Sequence, residues 1–364
     1  LKSLNGSEQR IKLRNECKQY FKLKILLDSD KKAAWYDSLL FAKQKEQFAI
    51  PIWTEKVIDY NNINEEDDEI YCDTRFADFR NSSYGLIWKN ENEYEIILIS
   101  DVKENYLELL YPVVNSYSGK KYIMPLRIGW MVVKSDKRKY NSEVYFVEFI
   151  FSVYDTINFD DYEFGTTYDE LGVLTIPSFM EDSFNESSDG DINLKDYNTG
   201  IFEVESDSLY NIVSQNHHFI NDVKEDCWNF RKFLHYLNGK QKIILVPSFK
   251  NELIQVSIIN PNDINVTVEN IQLYENMGFN NLRTYIGFLL NDNSLLIRKI
   301  TAIYRIDNDK ERIYFNSSLG QTINPEDCKI FFVDKCRLAD NRIEINWIRS
   351  GYNECKLDFI RIVE

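Results

Sequence analysis

The chain has 364 residues and a formal net charge of −15, and it is 44% hydrophobic and 14% aromatic. That length suffices for two or three domains with a sizeable core, and that aromatic content excludes a disordered chain. So acidic a balance argues against gripping nucleic acid through its phosphates or lying on anionic membranes, and fits an acidic soluble protein or assembly subunit.

No apolar run approaches the ~20 residues that span a bilayer. Leu1-Lys2-Ser3-Leu4-Asn5-Gly6 lacks the apolar core of a signal peptide, and a start without Met implies residues upstream. Six cysteines (Cys17, Cys72, Cys227, Cys328, Cys336, Cys355) are scattered with no Cys-x-x-Cys pair, as expected of free, mostly buried thiols in a chain made in the cytosol. Tyr and Phe, 23 each, favour strands. Gly (13) and Pro (7) are few, so Asn and Asp must make many of the turns.

In chain order, residues 17–27 alternate apolar with Lys18, Lys22 and Lys24, the period of a half-buried strand. Ser29 or Asp30 can cap a helix running to about Gln44, with Trp35, Leu39 and Ala42 on one face. Phe48-Ala49-Ile50-Pro51-Ile52-Trp53 is a short strand, at an edge or strand end because of its proline. Glu65-Glu66-Asp67-Asp68-Glu69 is a solvated loop, followed by short strands near 85–88, 95–99, 106–110 and 121–133, and by an aromatic strand at 143–153. Residues 155–200, rich in Asp, Ser, Asn and Gly, are a long loop or linker. The spacing of Ile220, Val223, Cys227, Phe230, Leu234 and Leu237 predicts a helix over 217–237, stopped at Gly239. A strand at 243–249 and a closing hairpin around Ser350-Gly351-Tyr352-Asn353 complete the pattern.

Pro51 aligns with Pro247 at an offset of 247 − 51 = 196, where Trp53 meets Phe249, Ile50 meets Val246 and Phe48 meets Ile244. The expected fold is therefore mainly β (α+β) and multi-domain, with two related helix-plus-strand cores made by internal duplication, each followed by a small β-domain. The expected units are a first core at 1–60, a first β-domain at 61–154, the loop at 155–200, a second core at 201–255 and a second β-domain at 256–364.

Little chemistry stands out. His217 and His218 are adjacent, about 100° apart on a helix, and His235 lies one residue from the apolar stripe, so surface roles are favoured over ligation or catalysis. No His-x-x-x-His spacing, nucleophile elbow or phosphate-cradling loop occurs. Asp189-Gly190-Asp191-Ile192-Asn193 superficially matches a calcium loop, but Leu194 stands where Gly is required and Gly200 where Glu is required. Trp88, Trp130 and Tyr352 are candidate sugar-stacking aromatics, with core or interface packing the plainer role. No catalytic, cofactor-binding or metal-ligating residue is assigned, and no enzyme activity is expected.

Several blocks, in order along nearly the whole chain, resemble a family. Asn5-Gly6-Ser7-Glu8-Gln9-Arg10-Ile11-Lys12-Leu13-Arg14 is similar to an Asp-Gly-x-Glu-Gln-Arg-x-x-Leu-Arg signature. Ile50-Pro51-Ile52-Trp53, Asp78-Phe79-Arg80 and Gly85-Leu86-Ile87-Trp88 follow. Later come Asn229-Phe230-Arg231-Lys232-Phe233-Leu234, Gly239-Lys240, Val246-Pro247-Ser248, Cys336-Arg337-Leu338-Ala339 and Cys355–Ile360. Together they resemble siphophage tail-tip proteins, the distal tail or baseplate proteins encoded near the tape measure.

The resemblance implies a virion structural subunit, made in the host bacterial cytoplasm, at the distal end of a non-contractile tail. Its implied partners are itself, the tail tube protein, the tape measure protein, and the hub and receptor-binding or tail-fibre proteins. A hexameric ring is favoured and a trimer is open. Neither direct nucleic-acid binding nor membrane insertion is implied. The alternative is a glycan-binding or depolymerase-associated module of the same tip, active in host attachment. A ring subunit must expose apolar or aromatic patches when free, whereas a glycan binder needs a concave polar cleft.

Overall fold

The computed structural model describes residues 10, 17–132, 136–141, 143–155, 159, 162–176, 178, 185–190, 192–196, 200, 202–206, 211–277 and 283–362. The first half opens with strand β1 (Tyr20–Leu27) and helix α1 (Asp30–Lys43). Then come β2 (Phe48–Pro51), a 3-10 turn (Trp53–Glu55), β3 (Val57–Asp59), β4 (Glu69–Tyr71), β5 (Ser83–Asn90) and β6 (Glu93–Val102). β7 (Tyr106–Leu109), β8 (Lys121–Met131), β9 (Asp136–Lys139) and β10 (Tyr145–Val153) complete it.

The second half holds β11 (Thr167–Tyr168), β12 (Leu171–Gly172), β13 (Asn185–Asp189), β14 (Ile192–Asp196), β15 (Phe202–Ser206), β16 (Ile212–Asn221), α2 (Lys224–Leu237) and β17 (Ile244–Pro247). It continues with β18 (Asn265–Glu269), α3 (Leu273–Met277), β19 (Tyr285–Leu290), β20 (Leu295–Arg305), β21 (Lys310–Phe315), β22 (Cys328–Leu338), β23 (Ile345–Arg349) and β24 (Tyr352–Arg361).

Among the described residues these make two ten-stranded antiparallel sheets and two small hairpins, β11–β12 and β14–β15. One sheet runs β1-β10-β8-β5-β6-β7-β4, with β2 and β3 on β8 and β9 on β10. The other runs β13-β16-β24-β22-β19-β20-β21-β18, with β17 on β22 and β23 on β24.

This architecture corrects the expected one. Among the described residues the chain is mostly β, with large antiparallel sheets and three α-helices, and the expected duplicated helix-plus-strand cores are not shown. The physical reason lies in the pairing. β1 and β2 find no partner in each other; they hydrogen-bond to β10 and β8, about a hundred residues on. A helix-plus-strand unit therefore cannot close on itself, and its strands become part of a sheet assembled from the whole half-chain. Nor is α1 a core element: it buries Ala33 and Tyr36, with Leu40 half-buried, while Trp35, on the face expected to pack, is 62% exposed.

The Ser29 cap stands as expected, its side chain accepting the Lys32 N–H at 3.2 Å. The second helix starts seven residues later than predicted, because 217–221 belong to β16. From Cys227 onward its stripe packs as the spacing requires, burying Cys227, Phe230, Phe233, Leu234 and Leu237. Its C-terminus turns through Asn238 and Gly239, both at positive φ (49° and 63°). A Cβ on Gly239 would lie 2.5 Å from the Asn341 Oδ1 that accepts the Lys240 N–H, so glycine suits this position twice over.

Candidate functional site

Three buried ionic groups stand out. The largest joins the two halves. Glu55 on the 3-10 turn, Asp78, Arg80, Arg127 on β8 and Arg231 on α2 bring two carboxylates and three guanidiniums together. Arg80 grips Asp78 with two parallel bonds, 2.9 and 2.7 Å, the fork geometry that favours arginine. Arg127 reaches Asp78 Oδ2 at 2.9 Å and also donates to the Asp78 carbonyl. Arg231 meets Glu55 Oε1 at 2.5 Å, and the other Glu55 oxygen accepts the Asp78 N–H at 2.6 Å. The Arg231 guanidinium also lies over the rings of Trp228 and Phe159, at 5.1 and 5.2 Å.

Burial acts to raise the Asp78 carboxyl, but Arg80, Arg127 and Arg231 outweigh it and hold it below the usual carboxylate range. The group is thus committed to its cations. Beside it lies a void of about 10 Å³ among Glu55, Lys224, Cys227, Trp228 and Arg231, room for about one water and no substrate.

A second group centres on Asp334, bonded by Arg283 (3.1 Å) and Gln215 (3.2 Å), with Glu186 bridging Arg283 and Lys250. Here burial wins over the nearby arginines and raises the carboxyl. The third is the buried pair Lys121–Asp59, 2.8 Å apart. Each was invisible to sequence spacing as a group, since apart from Asp78 and Arg80 its members come from distant parts of the chain.

The histidines do not lie where expected. His217 and His218 are on β16, so successive side chains point to opposite faces, and both are buried. The helix-surface role expected for them is corrected, because the period there is two and not 3.6. His217 stacks near Phe219 and Phe359 and shares a 3.2 Å hydrogen bond with Gln215. His218 approaches Glu354 at 3.5 Å. His235, on α2, packs against the Phe159 ring.

Burial lowers His217 to about 4. The unfolded chain protonates this imidazole near its ordinary value of 6.5, while the folded chain keeps it neutral until about 4. Its contribution is therefore whole above pH 6.5 and lost as the pH falls toward 4, a gap worth about 3 kcal/mol. Denaturant unfolding of the protein and of His217→Gln at pH 7.5 and pH 4.5 is expected to show the smaller loss of stability in the variant. Equal losses would show that His217 does not drive the acid sensitivity.

The remaining sequence candidates are spread out. Trp88 is half-buried between Trp53 and Tyr94, Trp130 packs on Tyr154, and Tyr352 lies under Arg349, each on a different strand. Of the supposed calcium loop, Asp189 ends β13 and Ile192–Asp196 is β14, while Asp191 lies outside the described residues, as does most of the Asn5–Arg14 block. No group of three His, Cys, Asp or Glu side chains that could hold a metal occurs among the described residues. A crevice of about 300 Å³ is lined by Asp59, Asn61, Asn62, Asp67, Glu69 and Tyr71. No helix among the described residues is long and apolar enough to cross a membrane.

What the surface does offer is apolar area on open faces. Phe41 on α1 is 97% exposed, and Leu26, Phe146 and Tyr140 are exposed along the β1–β10–β9 side. Hairpin β14–β15 exposes Ile192, Leu194 and Val204 together, at 62–64% each. Chemically such faces exclude water on contact with another surface; they do not shape a reacting centre. Compared with known protein families and with curated proteins, the chain matches none.

Proposed function

We propose that the chain is a structural subunit of a bacteriophage tail tip, in which copies ring the distal end of a non-contractile tail tube. Its proposed neighbours are the tube and tape measure proteins on one side and the hub and receptor-binding or fibre proteins on the other. The observation that carries this proposal is the set of large apolar side chains standing on open sheet and hairpin faces, from Phe41 and Trp35 to Leu26, Phe146, Leu194 and Val204. Monomeric soluble proteins rarely leave such faces uncovered. The blocks from Asn5–Arg14 to Cys355–Ile360 add the tail-tip assignment by resemblance. The threefold option depended on two related cores and goes with them, so a hexamer is the proposed state. The proposed location is the virion, after synthesis in the host bacterial cytoplasm.

A glycan-binding role in host attachment is the second proposal. The polar crevice beside Tyr71, an exposed ring tilted against Tyr106 at 5.5 Å, favours it. Light scattering followed by negative-stain imaging separates the two. Rings of six are expected. A stable monomer at high concentration would remove the ring role, and glycan binding lost on Tyr71→Ala would then favour the second.

A further inference from the structure

The exposed apolar hairpin and one face of the first sheet are complementary in both charge and character. In hairpin β14–β15 Ile192, Leu194 and Asp196 alternate along one strand and Leu194 pairs with Val204, so these residues share one side. The other side carries Asn193, Lys195, Glu203 and Glu205, with Lys195 and Glu205 paired at 2.5 Å. The hairpin is thus amphipathic. A two-stranded ribbon has little stability alone and gains most of it by covering its apolar side. The hairpin itself is acidic: residues 192–206 hold Asp196, Glu203 and Glu205 against one lysine, Lys195.

In this acidic chain, positive charge gathers elsewhere. Residues 18–24 hold three lysines and no carboxylate, and residues 134–139 hold four cations against Asp136. The pairing puts the key members on one outer face. Lys22 lies opposite Ile150, Lys24 opposite Glu148, and Leu26 opposite Phe146, with Arg138 of β9 opposite Phe146 from the other side. Glu148 sits below its ordinary carboxyl value, first through its hydrogen bond to Lys22 and, with burial opposing, through the charges of Lys22, Lys24 and Arg138. Exposed Leu26, Phe146 and Tyr140, the last two rings 5.6 Å apart, supply the apolar part. The opposite side of β1 and β10 is already filled by the packing of Phe21, Leu23, Val147, Phe149 and Phe151.

We propose that the apolar side of the β14–β15 hairpin in one copy docks on the Lys22–Lys24–Leu26–Phe146–Arg138 face of a second copy. This inference rests on the ring role proposed above and names the contact that makes the ring. The occupant is a second copy because each chain carries both halves of the match. Two different patches meeting make a head-to-tail contact, which closes into a ring when repeated by rotation. The net negative charge of the hairpin steers it to the basic face, so association weakens with salt.

The test uses two full-length variants, each altered at exposed positions. Leu194→Asp/Val204→Asp spoils the hairpin, and Lys24→Glu/Arg138→Glu spoils the face. Circular dichroism checks that both fold. Each variant alone is expected to run at the mass of the 43.2 kDa chain under conditions where the unaltered protein is oligomeric. Mixed in equal amounts, they are expected to form a one-to-one dimer and nothing larger, because one intact hairpin then meets one intact face. Unaltered rings persisting in both variants would overturn the proposed contact and leave the ring role standing. A monomer for the unaltered chain at every concentration would overturn both.

Discussion

Replacing Arg231 by alanine is expected to cost about 3–5 kcal/mol of folding stability, the range for removing one partner of a buried ion pair. Glu55 is buried and loses its 2.5 Å partner, Asp78 loses one of three cations, and the aromatic pair Trp228 and Phe159 loses the charge above it. Desolvating Glu55 was tolerable only while Arg231 faced it. The control is the pair Arg231→Met with Glu55→Gln, which removes both charges and keeps an acceptor for the Asp78 N–H. It is expected to recover part of the loss, since a buried pair replaced as a pair costs far less than one broken. Denaturant titration reads both values. A loss below about 1 kcal/mol for Arg231→Ala would mean that the pair behaves as a solvated surface contact.

Phe331→Ala is expected to cost a similar amount, about 3–5 kcal/mol. The Phe331 ring is fully buried and lies across from Gly287, where an added Cβ would come within 2.6 Å of it. Gly287 therefore has no side chain to fill the space when the ring goes. Phe249, which holds a positive φ of 53° and packs 5.6 Å from the ring, loses the contact that repays its strained backbone. Both features resist collapse, and the cost of a large-to-small change grows with the cavity that remains. Phe331→Leu should cost less than half as much. Equal values for the two substitutions would show that the site relaxes freely.

Much of the strand pattern could be read along the chain. The runs at 85–88 and 95–99 lie within β5 and β6, and those at 106–110 and 121–133 cover β7 and β8, because apolar and β-branched residues cluster there between turn residues. β16 escaped for the opposite reason. Its buried side holds Val213, Gln215, His217, Phe219 and Asn221, so polar groups occupy core positions and erase the alternation. Ile220 and Val223 then lend the region a false helical spacing. In α1, alanine and tyrosine do the packing while tryptophan faces out, and composition alone favours the reverse. The ionic groups could not be read at all. Glu55 and Arg231 are 176 residues apart, and no local rule links them. The exposed hairpin was hidden inside a stretch whose Asp, Ser and Asn content reads as loop, although its four central residues alternate cleanly once paired.

The ends of the two sheets bear on how copies can polymerise. β4 is three residues long and begins with Glu69 at the end of the acidic run. β18 is already flanked by 254–256, whose Val256 N–H bonds to the Thr267 carbonyl while Glu269 bonds back to Ile254. β13 ends in Asp189, and β1 carries Lys22 and Lys24 in its first half. Short, charged or covered borders of this kind block strand-on-strand stacking between chains. Growth by endless cross-β addition is thereby disfavoured, so the folded chain at high concentration is steered away from fibrils.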